Sequence, residues 1–276
     1  MKESLYKLGF FLTKTNLFIS AAASLSVLNG FYYFSLPPNF ALVGFVFFAT
    51  LFTYNIQRVL GDLKNTSKST GYSKLFMAVG LLGVGLLTWK IDCVQIIILS
   101  FCGLLSIAYS FPFLPSKEGR LSLRLVPRMK ILVIVLVWSF SIAYVPIYDA
   151  GLSTAQLSLY TLQQAFFIAA LTIPFDIRDL QFDSPNQQTL PQWLGISKSV
   201  SLAKIFLIFS FSCSLIMYLS GSIASVILLG TAISMTISAV IVNRARPKND
   251  DLYFTILIDG LIILQAVLII LVEYYF

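Results

Sequence analysis

Apolar residues run along this chain in long unbroken stretches, without the two-residue or 3.6-residue alternation of a half-buried element, which predicts helices surrounded by lipid and by one another. Read with a window of about 20 residues, the stretches cover Leu17 to Phe34, Phe40 to Tyr54, Leu75 to Trp89, Val94 to Phe111 and Ile131 to Ile147. Four more cover Leu157 to Ile173, Leu202 to Leu219, Ile223 to Val242 and Leu252 to Val272. The expectation is an all-α polytopic membrane protein, one integral domain over residues 1–276 with nine spanning helices. Two four-helix modules, near 17–111 and 131–242, precede a final helix over 252–272. Residues 1–16 read differently: Leu5, Leu8, Phe11 and Leu12 are helix-spaced among Lys2, Lys7 and Lys14, the pattern of a helix lying on a membrane surface. The apolar stretch after them is of full membrane length and lacks a signal-peptide cleavage site.

Composition agrees with this reading. Of 276 residues, 58% are hydrophobic and 11% charged, against about 25% charged in soluble domains. The basic residues alternate between rich and empty loops, as the positive-inside rule requires. With a cytoplasmic N-terminus, the inner loops collect Arg58, Lys64, Lys68 and Lys74, then Lys117 to Lys130, then Arg178, Lys198 and Lys204, then Arg244 to Lys248. Lys90 alone falls outside. The C-terminus is then external, and the net charge of +7 points to contact with anionic lipid instead of nucleic acid. The inner or plasma membrane of a bacterium is the expected location.

Candidate chemistry begins with what is missing. The chain has no histidine, and Cys93, Cys102 and Cys213 form no paired motif. That excludes imidazole ligation, Ser-His or Cys-His nucleophiles and a thiolate metal site, leaving carboxylates, amides, tyrosines and basic residues. The densest carboxylate cluster is Asp176-Ile-Arg178-Asp179-Leu-Gln-Phe-Asp183, just past an apolar segment. If the helix continues past Pro174, spacings of three and four place Asp176, Asp179 and Asp183 on one face, suited to a hard cation such as Mg²⁺ and a polyanionic ligand. Solvated interfacial charge is the alternative reading. The same spacing recurs four helices earlier in Asn55, Arg58 and Asp62, so a chain of two related modules brings both loops to one central cavity. Asp259, inside the last helix, is expected to face the bundle interior in a structural hydrogen bond. Gly80, Gly83, Gly85 and Gly103 are expected to permit close helix packing.

These residues carry a resemblance. Asp176-x-x-Asp179-x-x-x-Asp183 followed by Thr189-Leu190-Pro191-x-x-Leu194-Gly195, Ala108-Tyr109-Ser110-x-Pro112 with a basic segment ending at Lys130, and Asn55 at the end of the second helix together resemble the UbiA superfamily of intramembrane prenyltransferases. The resemblance implies Mg²⁺-dependent transfer of a prenyl group from an allylic isoprenyl diphosphate to a hydrophobic acceptor, a lipid-soluble aromatic being one class. It implies metal ligands Asp176, Asp179, Asp183 and Asp62, a catalytic set of Asp176, Asp179 and Asn55, and diphosphate contacts from Arg58, Lys117, Lys130, Arg178 and Tyr109. The first aspartate motif departs from the family pattern: Val59 and Leu63 stand where carboxylates are usual, and Ile56 follows Asn55 directly. Phe113 replaces a basic residue beyond Tyr109, and Ser184 and Pro185 replace the basic residues after Asp183. The rival expectation is a non-catalytic binder or transporter of prenyl diphosphate or lipid with the same fold.

Overall fold

The computed structural model describes residues 2–62, 71–116, 119–184 and 187–275. Lys117 lies outside the described residues, as does the side chain of Asp62. Helix α1 (Lys2–Lys14) meets α2 (Leu17–Tyr33) at a 73° bend, where Asn16 adopts a left-handed conformation that asparagine tolerates. Then follow α3 (Phe40–Asp62), α4 (Gly71–Thr88) and α5 (Cys93–Ser110). A two-stranded antiparallel hairpin of β1 (Leu114–Ser116) and β2 (Gly119–Leu121), which the hydropathy pattern did not predict, leads to a 3₁₀ turn at Leu123–Leu125. Helix α6 (Met129–Ser139) continues through a π turn at Phe140–Tyr144 into α7 (Val145–Ile147). The rest of the chain comprises α8 (Thr154–Asp179), short α9 (Leu190–Leu194), α10 (Ile196–Leu219), α11 (Ser225–Val242), a second π turn at Tyr253–Ile258, and α12 (Asp259–Tyr275).

Eight helical segments among the described residues are long and apolar enough to cross a membrane; α2, at 17 residues, becomes a ninth if it is counted with the bent α1. Packing runs around a ring: α2 against α3, α3 against α5, α5 against α6, α6 against α8, α8 against α10, then α11 and α12, which returns to α2. Among the apolar spans, α8 is the most deeply buried, packed between α6 and α10. Tyr160, Phe167, Ala170, Ile173 and Ile177 on α8 are completely enclosed, whereas α4 lies against α3 and turns Leu81, Leu82 and Leu86 outward.

Two glycines account for the close approach of α4. A Cβ on Gly80 would lie 2.6 Å from the Phe52 nitrogen, and one on Gly83 would lie 2.2 Å from the Phe48 ring. Gly85 and Gly103 have nothing within 4 Å of that position, so the packing role expected for them is corrected: both border open space, which for Gly103 is the central cavity.

Candidate functional site

The helix does continue past Pro174. Proline removes one backbone donor, yet α8 runs on to Asp179, and the Asp183 N–H still bonds the Asp179 carbonyl at 2.8 Å, extending the helical path by one turn. Asp176, Asp179 and Asp183 consequently share a face. The segment after them holds that turn in place. Gln192 of α9 accepts from the Thr189 N–H at 3.0 Å and donates to the Asp183 and Ser184 carbonyls at 3.3 and 3.0 Å. Pro191 occupies the first turn of α9, where a proline costs no hydrogen bond, and Gly195 supplies the positive φ of 79° that ends it. The Thr-Leu-Pro-x-x-Leu-Gly sequence is thus a turn-forming device that fixes the third aspartate.

What the three carboxylates converge on is an ammonium group. Lys130, in the first turn of α6, places Nζ 3.0 Å from Asp176 Oδ1, 3.0 Å from Asp179 Oδ2 and 3.1 Å from Asp183 Oδ2. Arg124, carried by the 3₁₀ turn, lies 3.6 Å from both Asp179 and Asp183. Arg178 Nε bonds Asp179 Oδ1 at 2.8 Å, with its guanidinium over the rings of Phe175 and Phe254. Three carboxylates therefore meet three cations, and the lysine and all three aspartates are buried. A lysine at a helix N-terminus opposes the helix dipole; here the carboxylates outweigh that cost.

Beside the cluster is a cavity of about 590 Å³, within the range of roughly 300–1,000 Å³ common for small-molecule sites. Its charged end is lined by Arg58, Arg124, Lys130, Arg178 and Asp179, with Tyr109 close by. Its walls are mainly apolar and include Phe18, Val46, Leu99, Val137, Ile168 and Leu171, with Thr50, Thr53 and Thr172 among them. Both π turns border it, through Ser141 and Ile142 on one side and Thr255 and the adjoining Asp259 on the other. Such turns shift the register of a helix and often mark functional positions. Asp259 lines the cavity, as do Arg178 and Tyr54, but its carboxylate makes no hydrogen bond among the described residues.

The second predicted loop reaches the same cavity with a different use of its side chains. Arg58 lines the cavity, while Asn55 does not. The amide of Asn55 is fully buried and donates to the carbonyls of Thr15 at 3.1 Å and Leu51 at 2.8 Å, which ties α3 to the α1–α2 corner. Arg58 donates to the Lys14 carbonyl and, at 3.3 Å, to Asn16 Oδ1. It closes the open C-terminal end of α1. Sequence reasoning missed Arg124 as a partner of the aspartates, because only the hairpin and the 3₁₀ turn bring it over them; the basic character of that segment was the available signal.

The donor set can be tested against the divalent ion that the resemblance implies. Carboxylate oxygens are the right ligands for a hard cation, and here three of them surround one point that a cation already holds. Among the described residues, no group of three acidic, cysteine or histidine side chains is arranged to hold a metal ion. The aspartates of the second motif offer the oxygen donors such an ion takes, in an arrangement set around the Lys130 ammonium; Asn55, bound to backbone carbonyls, supplies nothing to it.

No family model matches the chain, and no curated protein matches its sequence. Solved structures do. A UbiA homolog from Archaeoglobus fulgidus superposes with a TM-score of 0.65 at 14% identity, over 96% of this chain and 99% of that one. A structure of a UbiA homolog from the same organism bound to GPP and Mg²⁺ gives 0.63 at 13% identity, over 95% and 99%. A digeranylgeranylglyceryl phosphate synthase gives 0.57 at 15% identity, over 97% of both chains. Over nearly its whole length, this chain has the fold of the UbiA homologues.

Proposed function

We propose that this protein is a membrane-embedded prenyltransferase that binds an allylic isoprenyl diphosphate in the central cavity and transfers its prenyl group to a hydrophobic acceptor. The observation that carries the reading is the polarity of the cavity: a charged end built on Asp179, Lys130, Arg124 and Arg178 opens directly onto apolar walls. A diphosphate suits the first part and an isoprenyl chain the second. Asp176, Asp179 and Asp183 would hold Mg²⁺, which when bound neutralises charge on the departing diphosphate. Arg124, Lys130 and Arg178 bind the diphosphate oxygens through charged N–H donors. Tyr54, Tyr109 and Trp138 line the cavity and would supply aromatic rings to stabilise an allylic cation, and the apolar walls would keep water from it. The aspartate end faces the cytoplasm, as the basic loops require; in a cysteine-free background, a cysteine at position 184 labels from that side only.

Purified protein given geranyl diphosphate, Mg²⁺ and a panel of lipid-soluble phenols and alcohols is expected to release diphosphate in a metal-dependent manner, faster with an accepted acceptor. The structural use of Asn55 favours a second reading, a binder or carrier of prenyl diphosphates without turnover. Binding of geranyl diphosphate without any release would select it.

A further inference from the structure

The Lys130 ammonium occupies the centre of the aspartate cluster. Its Nζ donates hydrogen bonds to Asp179 Oδ2 at 3.0 Å and Asp183 Oδ2 at 3.1 Å, and forms an ion pair with Asp176 Oδ1 at 3.0 Å. The lysine is 6% exposed, so water contributes little to solvating either sign of charge. These distances suit an ammonium. They are too long for Mg²⁺, whose oxygen ligands lie at about 2.0–2.1 Å, so the carboxylates would have to close in by about 1 Å on a metal. A divalent ion at that centre would also lie within hydrogen-bonding distance of a positive charge in a poorly screened site, where like charges repel strongly. The lysine and the metal exclude each other.

Building on the diphosphate-binding reading above, we propose that Lys130 decides whether the aspartate cluster accepts a divalent ion: in the ligand-free protein the ammonium is the cluster's cation, and a metal enters only with a diphosphate whose oxygens take over that ammonium. Lysine suits the exchange because its charge sits at the end of a flexible four-carbon stem, whereas an arginine fork holds a fixed geometry. Lys130 lines the cavity as well as touching all three carboxylates, so the ammonium can change partners without movement of α6. Arg178 at 2.8 Å and Arg124 at 3.6 Å stay on Asp179 while it does so. Metal and diphosphate then bind as a coupled pair, each raising the affinity for the other by the same factor.

The test uses full-length protein in detergent, with Mn²⁺ as the metal probe and loss of the free-ion electron paramagnetic resonance signal as the readout. Geranyl thiolodiphosphate, which resists turnover, serves as the ligand. Wild type is expected to bind Mn²⁺ at least tenfold more weakly without the ligand than with it. Lys130→Met is expected to raise ligand-free Mn²⁺ affinity at least tenfold and to reduce the effect of ligand, and adding Asp179→Asn should remove the gain. Lys130→Arg should remain as poor a ligand-free metal binder as wild type. If Lys130→Met does not fold, Lys130→Met with Asp176→Asn removes one charge of each sign and is still expected to exceed wild type through Asp179 and Asp183. Unchanged ligand-free affinity on removal of the lysine, or a gain that survives Asp179→Asn, overturns the role given to Lys130. Failure of wild type to bind the thiolodiphosphate in the presence of Mn²⁺ overturns instead the diphosphate reading on which it rests.

Discussion

The C-terminal ends of α3 and α8 present polar residues at the same spacing, Asn55, Arg58 and Asp62 on one and Asp176, Asp179 and Asp183 on the other, and their described side chains are used in opposite ways. On α3 the amide and the guanidinium are occupied by backbone carbonyls at the α1–α2 corner. On α8 the carboxylates have no backbone donors to satisfy and gather Lys130, Arg124 and Arg178. Spacing sets which residues share a helix face; the neighbour packed against that face sets what they do. Beside α3 lies a helix end with unpaired carbonyls, which calls for donors. Beside α8 lies a basic loop, which calls for acceptors.

Substitutions can break this contrast, and the largest effect is expected on α8. Asp179→Asn should weaken Mg²⁺-supported binding of geranyl diphosphate by well over tenfold, because Asp179 alone contacts all three cations; equilibrium binding to folded protein measures it. The next effect falls on stability. Asn55→Asp makes the α3 end resemble the α8 end chemically, but it removes two amide donors and sets a buried carboxylate against two carbonyl oxygens. It is expected to cost about 3 kcal/mol, read as a lowered unfolding midpoint in detergent, and to create no new metal site. Should Asn55→Asp instead strengthen Mn²⁺ binding, the two ends are functionally alike after all.

Arg58→Gln should have a smaller effect, about 1 kcal/mol of stability from the lost cap on α1, with the affinity for geranyl diphosphate falling less than about threefold. The family resemblance implies a diphosphate contact here, and a loss as large as that of Asp179→Asn would support it. The smallest effect on the site is expected at the opposite end of the bundle, where Asp92 caps α5 and accepts a hydrogen bond from Tyr148. That bond pushes the Tyr148 pKa up to about 12 and holds Asp92 below the usual carboxylate range. The tyrosine's contribution to stability is thus complete below its ordinary pKa and lost as pH rises through about 12, while that of Asp92 is lost as pH falls through its lowered pKa. Asp92→Asn should return Tyr148 toward the ordinary value of about 10, measured by phenolate absorbance, and leave diphosphate binding unchanged.

Much of the architecture was legible in the chain because lipid-facing helices need only length and apolarity, both local properties. All nine expected stretches correspond to helical segments among the described residues, with bounds that shift where a helix extends into polar sequence, as α8 does from Ile173 to Asp179. The shared face of Asp176, Asp179 and Asp183 was likewise readable, since helical periodicity depends on nothing beyond the segment itself. Turn chemistry was readable as sequence but not as purpose: only the fold shows that Gln192 and Gly195 hold Asp183 in place.

The partners of those residues were decided by the tertiary structure. Lys130 is 46 positions before Asp176 in the chain and Arg124 sits beyond a hairpin with no hydropathy signal, so their meeting with the aspartates depends on how α6 packs against α8. Asn55 and Arg58 resemble site residues by spacing, yet the 73° corner between α1 and α2 presents them with carbonyl oxygens. The sequence by itself determined the helices and the faces on which charge stands, because those follow from the geometry of one strip of backbone. The fold alone determined which charges face each other, because electrostatic partners are chosen by distance in space and buried charge must find its counter-charge wherever packing places it.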